Sequence, residues 1–161
     1  MQAQTPPGLG RALLSFAAAL LLGQIVLTGI GALFPDFKMP SSMGLVLVMV
    51  AAMTGGQSFA RHTHRVMTMG ERLRFALVAT ALGVVLSGVL LAATFAWYGV
   101  PMTLDTLSFS MTGDMRLAAD LRPWLWAVLA GAAAVSALVC FIAVGFGAKG
   151  VVRAQEKAAS R

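Results

Sequence analysis

The sequence predicts an all-α integral membrane protein, a four-helix antiparallel bundle with both termini in the cytoplasm. Three observations predict this fold: 58% of the 161 residues are hydrophobic, only 11% are charged, and the apolar residues gather in four long runs. Soluble domains carry about 25% charged residues. This chain has too few charged side chains to cover a surface in water, so we expect lipid to surround it.

Each apolar run is long enough to cross a bilayer. A helix needs roughly 20 apolar residues to span the hydrocarbon core, and none of the four runs contains Asp, Glu, Lys, Arg or His. Because backbone N–H and C=O groups must bond to one another in hydrocarbon, each run should form an α-helix. The predicted spans are 12–34, 42–60, 75–97 and 124–146.

Residues near the starts of the spans support these boundaries. The first run is longer than the roughly 7–15 apolar residues of a signal peptide, so we expect it to remain as a helix. Ser42 is a candidate N-cap for the second span. Thr68 and Glu71 match the capping-box pattern ahead of the third span. Pro123 suits the first turn of the fourth span, where its missing N–H is harmless.

The basic residues predict the orientation, because cytoplasmic loops carry the excess of Lys and Arg. Nine of the 12 basic residues fall on one side of the predicted bundle: Arg11, Arg61, Arg65, Arg72, Arg74, Lys149, Arg153, Lys157 and Arg161. The other side has Lys38, Arg116 and Arg122. We therefore assign loop 61–74 and tail 149–161 to the cytoplasm, and loop 98–122 to the outside.

The outer loop 98–122 carries a helical pattern of its own. Its apolar residues recur at spacings of three and four: Leu104, Leu107, Met111, Ala118 and Leu121. This spacing predicts an amphipathic helix on the outer surface, although Gly113 is unfavourable within a helix. The segment is either a docking or lid element or a loop that lies over the bundle. Aromatic residues typical of a membrane interface lie at its two ends: Trp97, Tyr98, Trp124 and Trp126.

Small residues at four-residue spacing predict the contact faces of the helices. Lipid supplies no hydrophobic force between helices, so close approach depends on small side chains. The second span has Ala52, Gly56 and Ala60 at this spacing. Other sets occur in the remaining spans: Ala19-Gly23, Ala79-Gly83-Ser87, Ala127-Gly131 and Ser136-Cys140. Such faces serve packing within a bundle or homodimerisation, and we favour the former.

Neutral polar residues inside the predicted spans form a candidate intramembrane cluster: Gln24, Thr54, Gln57, Ser87 and Ser136. One interpretation is a polar passage or a small-ligand site. The other is hydrogen bonding between helices, worth about 0.6 kcal/mol per contact. Transport pathways are usually marked by ionisable side chains, and the spans contain none. We therefore favour hydrogen bonding.

Several kinds of chemistry lack the residues that they need. A proton-coupled carrier uses an intramembrane carboxylate or histidine, and a membrane haem uses axial histidines within the bundle. Thiol–disulfide exchange needs a pair of cysteines, whereas Cys140 is the only one. We expect no enzymatic activity and no cofactor. Because the basic residues adjoin apolar runs, we expect no nucleic-acid partner either.

The cytoplasmic loop contains two sets of candidate ligand-binding residues. Imidazole and thioether groups can hold copper(I), which makes a metal-site candidate of His62, His64, Met67 and Met69. Neighbouring arginines and the absence of a nearby cysteine argue against a metal there. The arginines themselves are predicted to contact anionic lipid headgroups, and they are Arg61, Arg65, Arg72 and Arg74.

Residues 40–74, about a fifth of the chain, carry a family resemblance. The residues involved are Pro40-Ser41-Ser42, Ala51-Ala52-Met53, Gly56, Phe59-Ala60-Arg61, Arg65 and Thr68-x-x-Glu71. This pattern resembles a family of small bacterial four-span membrane proteins provisionally labelled ABZJ-type, which has no assigned activity. The resemblance implies the same architecture and supplies no catalytic residue.

The sequence therefore predicts a multi-pass protein of the bacterial inner membrane. We expect a non-enzymatic scaffold, accessory or interaction subunit whose partners are the lipid bilayer, its anionic headgroups, and either another membrane protein or a second copy of this chain. The alternative is a small channel or solute carrier lined by the five neutral polar residues.

Overall fold

The computed structural model describes residues 8–34, 42–112 and 114–160. All regular elements in these ranges are helical: α1 (Leu9–Leu33), α2 (Met43–Thr63), α3 (Met69–Trp97), α4 (Leu104–Thr112), α5 (Met115–Leu121), a 3-10 turn (Arg122–Trp124) and α6 (Leu125–Ala159). The predicted positions Lys38, Gly113 and Arg161 lie outside the described residues, as do the side chains of Met111, Ala118 and Leu121.

Four of these helices, α1, α2, α3 and α6, are long and apolar enough to cross a membrane. This confirms the all-helical fold class and the four membrane-length helices that the sequence predicted. Large apolar side chains point away from the protein, and Leu14 and Val85, for example, are 73% and 61% exposed. Such exposure costs free energy in water and none in hydrocarbon.

The helices extend further at their basic ends than the apolar runs do. Helix α2 continues to Thr63 and α3 begins at Met69, so the connection between them is only 64–68 rather than 61–74. Helix α6 continues to Ala159 through the predicted tail. Hydropathy marks the part of a helix that suits hydrocarbon, whereas Lys, Arg, Glu and Gln are good helix formers in water.

Two of the predicted start signals act differently in the structure. Ser42 occupies the N-cap position of α2, but its backbone is helical, with φ −71° and ψ −15°, and its side chain makes no capping hydrogen bond. A side-chain cap needs the N-cap residue in an extended conformation. Pro123 lies in the 3-10 turn before α6 rather than in the first turn of α6.

The chain divides into two compact units, Met1–Gly83 with Ser136–Arg161, and Val84–Val135. In the first unit, the rings of Phe16 and Phe75 meet edge to face, with centroids 5.9 Å apart. Both rings are buried. A Cβ atom on Gly55 would lie 2.7 Å from Phe75 Cζ and 3.0 Å from the Ala12 carbonyl oxygen. The small residue at 55 therefore lets α1, α2 and α3 converge.

The backbones of α2 and α6 are also in direct contact. A Cβ atom on Gly56 would overlap the carbonyl oxygen of Val144, and one on Gly147 would overlap the carbonyl oxygen of Met53. The predicted small residues of α2 are all buried here, namely Ala52, Gly56 and Ala60. This confirms the contact face predicted for the second span, because only a glycine leaves room for a neighbouring carbonyl.

The second unit contains the predicted outer loop, which forms α4, α5 and the 3-10 turn in contact with one another. Thr103 and Thr106 begin α4 with reciprocal hydrogen bonds, Thr103 N–H to Thr106 Oγ1 at 2.9 Å and Thr106 N–H to Thr103 Oγ1 at 3.2 Å. Asp114 Oδ1 accepts the Arg116 N–H at 2.8 Å, at the start of α5. The single amphipathic helix expected here is thus two short helices, each with its own start signal.

Candidate functional site

The predicted polar cluster is distributed over both units. Gln24, Thr54, Gln57 and Ser136 belong to the first unit, whereas Ser87 belongs to the second. The Thr54 hydroxyl donates to the Val50 carbonyl of its own helix at 3.0 Å. Gln24 has a buried Oε1, Gln57 and Ser136 are half-buried, and Ser87 is exposed. An i to i−4 bond of this kind satisfies the Thr54 hydroxyl within its own helix.

The basic end of the first unit has the most polar structure. Helix α2 is capped at its C-terminal end by His64, whose left-handed backbone has φ 52° and whose N–H donates to the Ala60 carbonyl at 2.9 Å. The Thr63 hydroxyl donates to the Phe59 carbonyl at 2.9 Å. His62 Nδ1 lies 3.0 Å from the Ser58 carbonyl oxygen. The Ala60 carbonyl is one of the last four of α2, which have no partner within the helix, so the His64 N–H satisfies one of them.

The predicted capping box at the start of α3 is confirmed. Thr68 N–H donates to Glu71 Oε2 at 2.8 Å, and Thr68 Oγ1 donates to the same oxygen at 3.1 Å. In return, Glu71 N–H donates to Thr68 Oγ1 at 3.4 Å. Each side chain thus satisfies a backbone N–H that the helix leaves open, the arrangement that defines this box.

Glu71 also binds Arg65 through two parallel hydrogen bonds, Nη1 to Oε2 at 2.8 Å and Nη2 to Oε1 at 2.6 Å. The arginine side chain is 46% exposed and the glutamate 12%. The Arg65 guanidinium lies 5.2 Å from the ring centroid of Phe59, which is buried. Its hydrogen bonds to Glu71 raise the pKa of Arg65 above its ordinary value. The Arg65–Glu71 pair therefore links the 64–68 connection to the buried ring of Phe59, and its two parallel hydrogen bonds fix the geometry.

Two of the four predicted headgroup arginines have partners within the protein. Arg65 is held by Glu71, and Arg72 Nε donates to the Met67 carbonyl at 3.1 Å. The Arg72 Nη1 atom lies 2.8 Å from the position that a Cβ atom on Gly145 would take, so Arg72 lies against α6. Arg61 and Arg74 are exposed, and their contact with lipid headgroups stays a prediction.

The four candidate metal ligands lie in different surroundings. His62 and His64 are exposed. Met67 is 3% exposed and Met69 is 70% exposed, so the two thioethers do not face the same space. Across residues 8–34, 42–112 and 114–160, no group of three or more His, Cys, Asp or Glu side chains is placed to hold a metal. A soft-metal site requires its ligands to converge.

A cavity of about 500 Å³ lies at the same end of the unit, lined by Gly8, Arg11, His62, Thr63 and Arg65. In the sequence, Arg65 is a candidate for headgroup contact and His62 a candidate metal ligand, and no spacing associates Arg11 with either. Arg11 and His62 belong to different helices, so their association depends on how α1 packs against α2. The one feature that Arg11 and His62 share in the sequence is a position at the end of an apolar run.

Comparison of this chain with protein-family models, with curated proteins and with solved structures returned no match.

Proposed function

We propose that this chain is a bacterial inner-membrane protein with four spanning helices in antiparallel order, both ends in the cytoplasm, and a non-enzymatic scaffold or accessory role. The observation that carries the proposal is the combination of four membrane-length apolar helices with basic residues concentrated at one end. Charged side chains in hydrocarbon are costly, and the Lys and Arg bias of the loops sets orientation.

Contacts in the first unit support the antiparallel order. Gly8, at the start of α1, lies beside Thr63 at the end of α2, and Gly23 lies beside Leu47. Position 145 in the second half of α6 lies beside Arg72 at the start of α3. These contacts bring the basic ends of α1, α2 and α3 toward one end of the unit, as the orientation rule requires for a shared cytoplasmic face.

The scaffold role is supported by the hydrogen bonds of the polar side chains, which are made within the protein. Thr54 bonds to its own helix, and Arg65, Thr68 and Glu71 satisfy one another at a helix start. These interactions fix a shape, and a defined shape with an apolar exterior is suited to contact with lipid and other membrane helices. The partner is another membrane protein or a second copy of this chain. The resemblance to ABZJ-type proteins stays a prediction and is compatible with this role.

Reporter fusions test the membrane topology. A green fluorescent protein fused after Arg161 should fluoresce and an alkaline phosphatase at the same position should be inactive, because the former matures in the cytoplasm and the latter in the periplasm. The matched control places each reporter within loop 98–122, where the pattern should reverse. Active phosphatase after Arg161, or release of the chain from vesicles by carbonate, would contradict the proposal.

Flux measurements separate the scaffold from a channel or carrier. Proteoliposomes containing the full chain should show the same small-solute leakage as empty liposomes, and Gln24→Leu should leave that leakage unchanged. The matched control is Leu22→Gln, which adds a polar group on the lipid-exposed side of the same helix. If the full chain gives more solute flux than empty liposomes, and Gln24→Leu abolishes that excess flux, the protein is a channel or carrier rather than a scaffold.

A further inference from the structure

Arg72 places a positive charge between two of the spanning helices. The side chain is half-buried, and the buried residues of α3 follow it at helical spacing, three, four and seven positions later: Phe75, Ala76 and Ala79. Its guanidinium lies over Gly145 of α6, with Nη1, Cζ and Nε at 2.8, 3.1 and 3.5 Å from the position that a Cβ atom would take there. The charge is therefore held where α3 meets α6.

The charge of Arg72 has no counter-charge among the residues that the structure describes. Within them, Arg72 takes part in no ion pair, and its one side-chain hydrogen bond runs from Nε to the Met67 carbonyl. The adjacent Glu71 is already bound, because its oxygens accept from Arg65 and from the Thr68 N–H. A charge that is partly removed from water is costly unless it is paired. The two terminal nitrogens of Arg72 are thus left to bind an anion.

Lys149 supplies a second cation one turn further along α6. It follows Gly145 by four residues, so the two positions share one side of the helix and are about 6 Å apart along its axis. Because Cα–Cβ bonds tilt toward the start of a helix, the lysine Cβ leans back toward Gly145 and the guanidinium over it. Lys149 is exposed and has no ion pair within the described residues. Glu156, the nearest acidic residue on α6, follows two turns later, about 10 Å along the axis.

Both cations lie where the apolar runs end. Arg72 comes three residues before the third predicted span, 75–97, and Lys149 three residues after the fourth, 124–146. Large apolar side chains beside them are exposed, Leu73 by 55% and Phe146 by 64%. In a bilayer, such side chains contact acyl chains while the neighbouring basic groups reach the headgroups. One phospholipid can therefore meet both kinds of group at this point.

From these positions we infer that Arg72 and Lys149 form a binding site for the phosphate of an anionic phospholipid in the cytoplasmic leaflet. The inference rests on the proposed topology, because only then do α3 and α6 meet at the cytoplasmic headgroups. A guanidinium can donate to two oxygens of one phosphate, and the ammonium group adds a second positive charge beside it. Gly145 belongs to the site, because a methyl group there would take the space of the guanidinium.

The first test uses the full chain in detergent, with native mass spectrometry to count bound lipid. Phosphatidylglycerol should be retained in preference to the net-neutral phosphatidylcholine. Arg72→Gln and Lys149→Gln should each weaken that retention about fivefold, as expected for one basic group at an anionic surface. The matched controls Arg74→Gln and Lys157→Gln remove the same charges from exposed residues of the same helices. They should change retention less than about twofold, because exposed charges are screened.

A second pair of variants tests the site without removing a charge. Gly145→Ala should displace the guanidinium and weaken phosphatidylglycerol retention by up to about fivefold, the loss expected when Arg72 no longer reaches the phosphate. Its matched control is Gly150→Ala, at the same end of α6. Among the described residues, no atom beyond its own stretch of helix lies within 4 Å of a Cβ at position 150. Retention should therefore stay unchanged in Gly150→Ala.

Inorganic phosphate identifies the source of the anion. It is added to lipid-free protein, and the melting temperature is followed for the parent chain, Arg72→Gln and Lys149→Gln. An unchanged melting temperature, with selective loss of phosphatidylglycerol in both variants, supports a lipid as the ligand. A rise that both substitutions abolish supports the same site with free phosphate as its ligand.

Three results would overturn the inference. They are losses of phosphatidylglycerol in the control variants as large as those in Arg72→Gln and Lys149→Gln, retention that neither substitution changes, and equal retention in Gly145→Ala and Gly150→Ala. Arg72→Gln also loses the bond to the Met67 carbonyl, so the exposed Lys149 decides the outcome if that variant does not fold. Carbonate extraction reports membrane insertion separately, so loss of the site with retained insertion leaves the proposed topology standing. Release of the parent chain by carbonate would remove the topology as well.

Discussion

Helix α6 passes through both units, and its glycines experience different surroundings in each. Among the described residues, no atom beyond its own stretch of helix lies within 4 Å of the position that a Cβ on Gly131, in the second unit, would occupy. Gly147, in the first unit, faces the carbonyl oxygen of Met53. The same residue type is thus a point of backbone contact at one end of the helix and an unfilled position at the other. A glycine in a helix is informative only when its neighbours are known.

The helix starts show the same contrast. Thr68 closes its capping box with Glu71, which also binds Arg65 beside the buried ring of Phe59. Thr103 closes a similar reciprocal pair with Thr106, whose hydroxyl otherwise bonds only to carbonyls of the same turn, those of Pro101 and Thr103, each at 2.9 Å. The first cap is connected to the core of its unit and the second is local. Substitutions should therefore act more strongly in the first unit.

The largest difference should come from alanine at the two contrasting glycines of α6. Gly147→Ala places a methyl group on the Met53 carbonyl and should lower the free energy of unfolding by about 1–3 kcal/mol, the usual cost of overpacking. Gly131→Ala should raise it by up to about 1 kcal/mol, through helix propensity. Unfolding in mixed detergent, followed by circular dichroism, measures both. Equal effects of the two substitutions would mean that α2 and α6 are not in backbone contact.

A smaller effect is expected at the core-connected cap. Glu71→Ala removes the capping box and the ion pair together and should cost about 1–2 kcal/mol. Glu71→Gln keeps a side chain that can close the box and loses only the charge, so about 1 kcal/mol or less should be lost. The same unfolding assay applies. If glutamine is as harmful as alanine, the ion pair with Arg65 contributes more than the cap.

The local cap in the second unit should matter less still. Thr106→Ala removes the acceptor for the Thr103 N–H and should cost about 0.5–1 kcal/mol, felt mainly by α4. Hydrogen exchange of the first amides of α4 is the appropriate measurement, because the expected change is local. A global loss of stability as large as that of Glu71→Ala would show that this cap supports more than its own helix.

The smallest effect should be that of Gly145→Ala, two residues before Gly147. Its new methyl group would meet the Arg72 guanidinium, with Nη1 at 2.8 Å, rather than a backbone carbonyl. A long arginine side chain can move aside, so we expect a change within about 0.5 kcal/mol. Gly147→Ala is the internal reference in the same assay. A cost at position 145 that matches the cost at 147 would indicate that Arg72 is fixed in place.

The helices themselves were well predicted by the sequence, and their ends were not. Four apolar runs gave four membrane-length helices because hydrocarbon forces the backbone to bond internally. The Thr68–Glu71 box was also predictable, since both partners lie within one turn. Ser42 was a candidate cap on composition alone, and its helical backbone prevents the side-chain bond. The extension of α2 to Thr63 was missed, because a loss of hydropathy does not end a helix.

The candidate site depended on packing. Arg65 was expected at lipid headgroups, and its bidentate bond to Glu71 arises from the left-handed turn at His64. The cavity between α1 and α2 joins Arg11 to His62, residues that no spacing rule connects. Likewise, spacing selected Ala52, Gly56 and Ala60 as a contact face, while the identity of the contacting helix came only from the three-dimensional arrangement.

The sequence by itself determined the helical class, the number of membrane-length helices and the concentration of positive charge near particular helix ends. These properties follow from local composition and from the solvent that each segment tolerates. Only the tertiary structure decided which glycines carry backbone contacts, that Glu71 neutralises Arg65, and that Arg11 and His62 line one cavity. Those outcomes depend on distances between helices, which are fixed by the packing of whole surfaces rather than by neighbours along the chain.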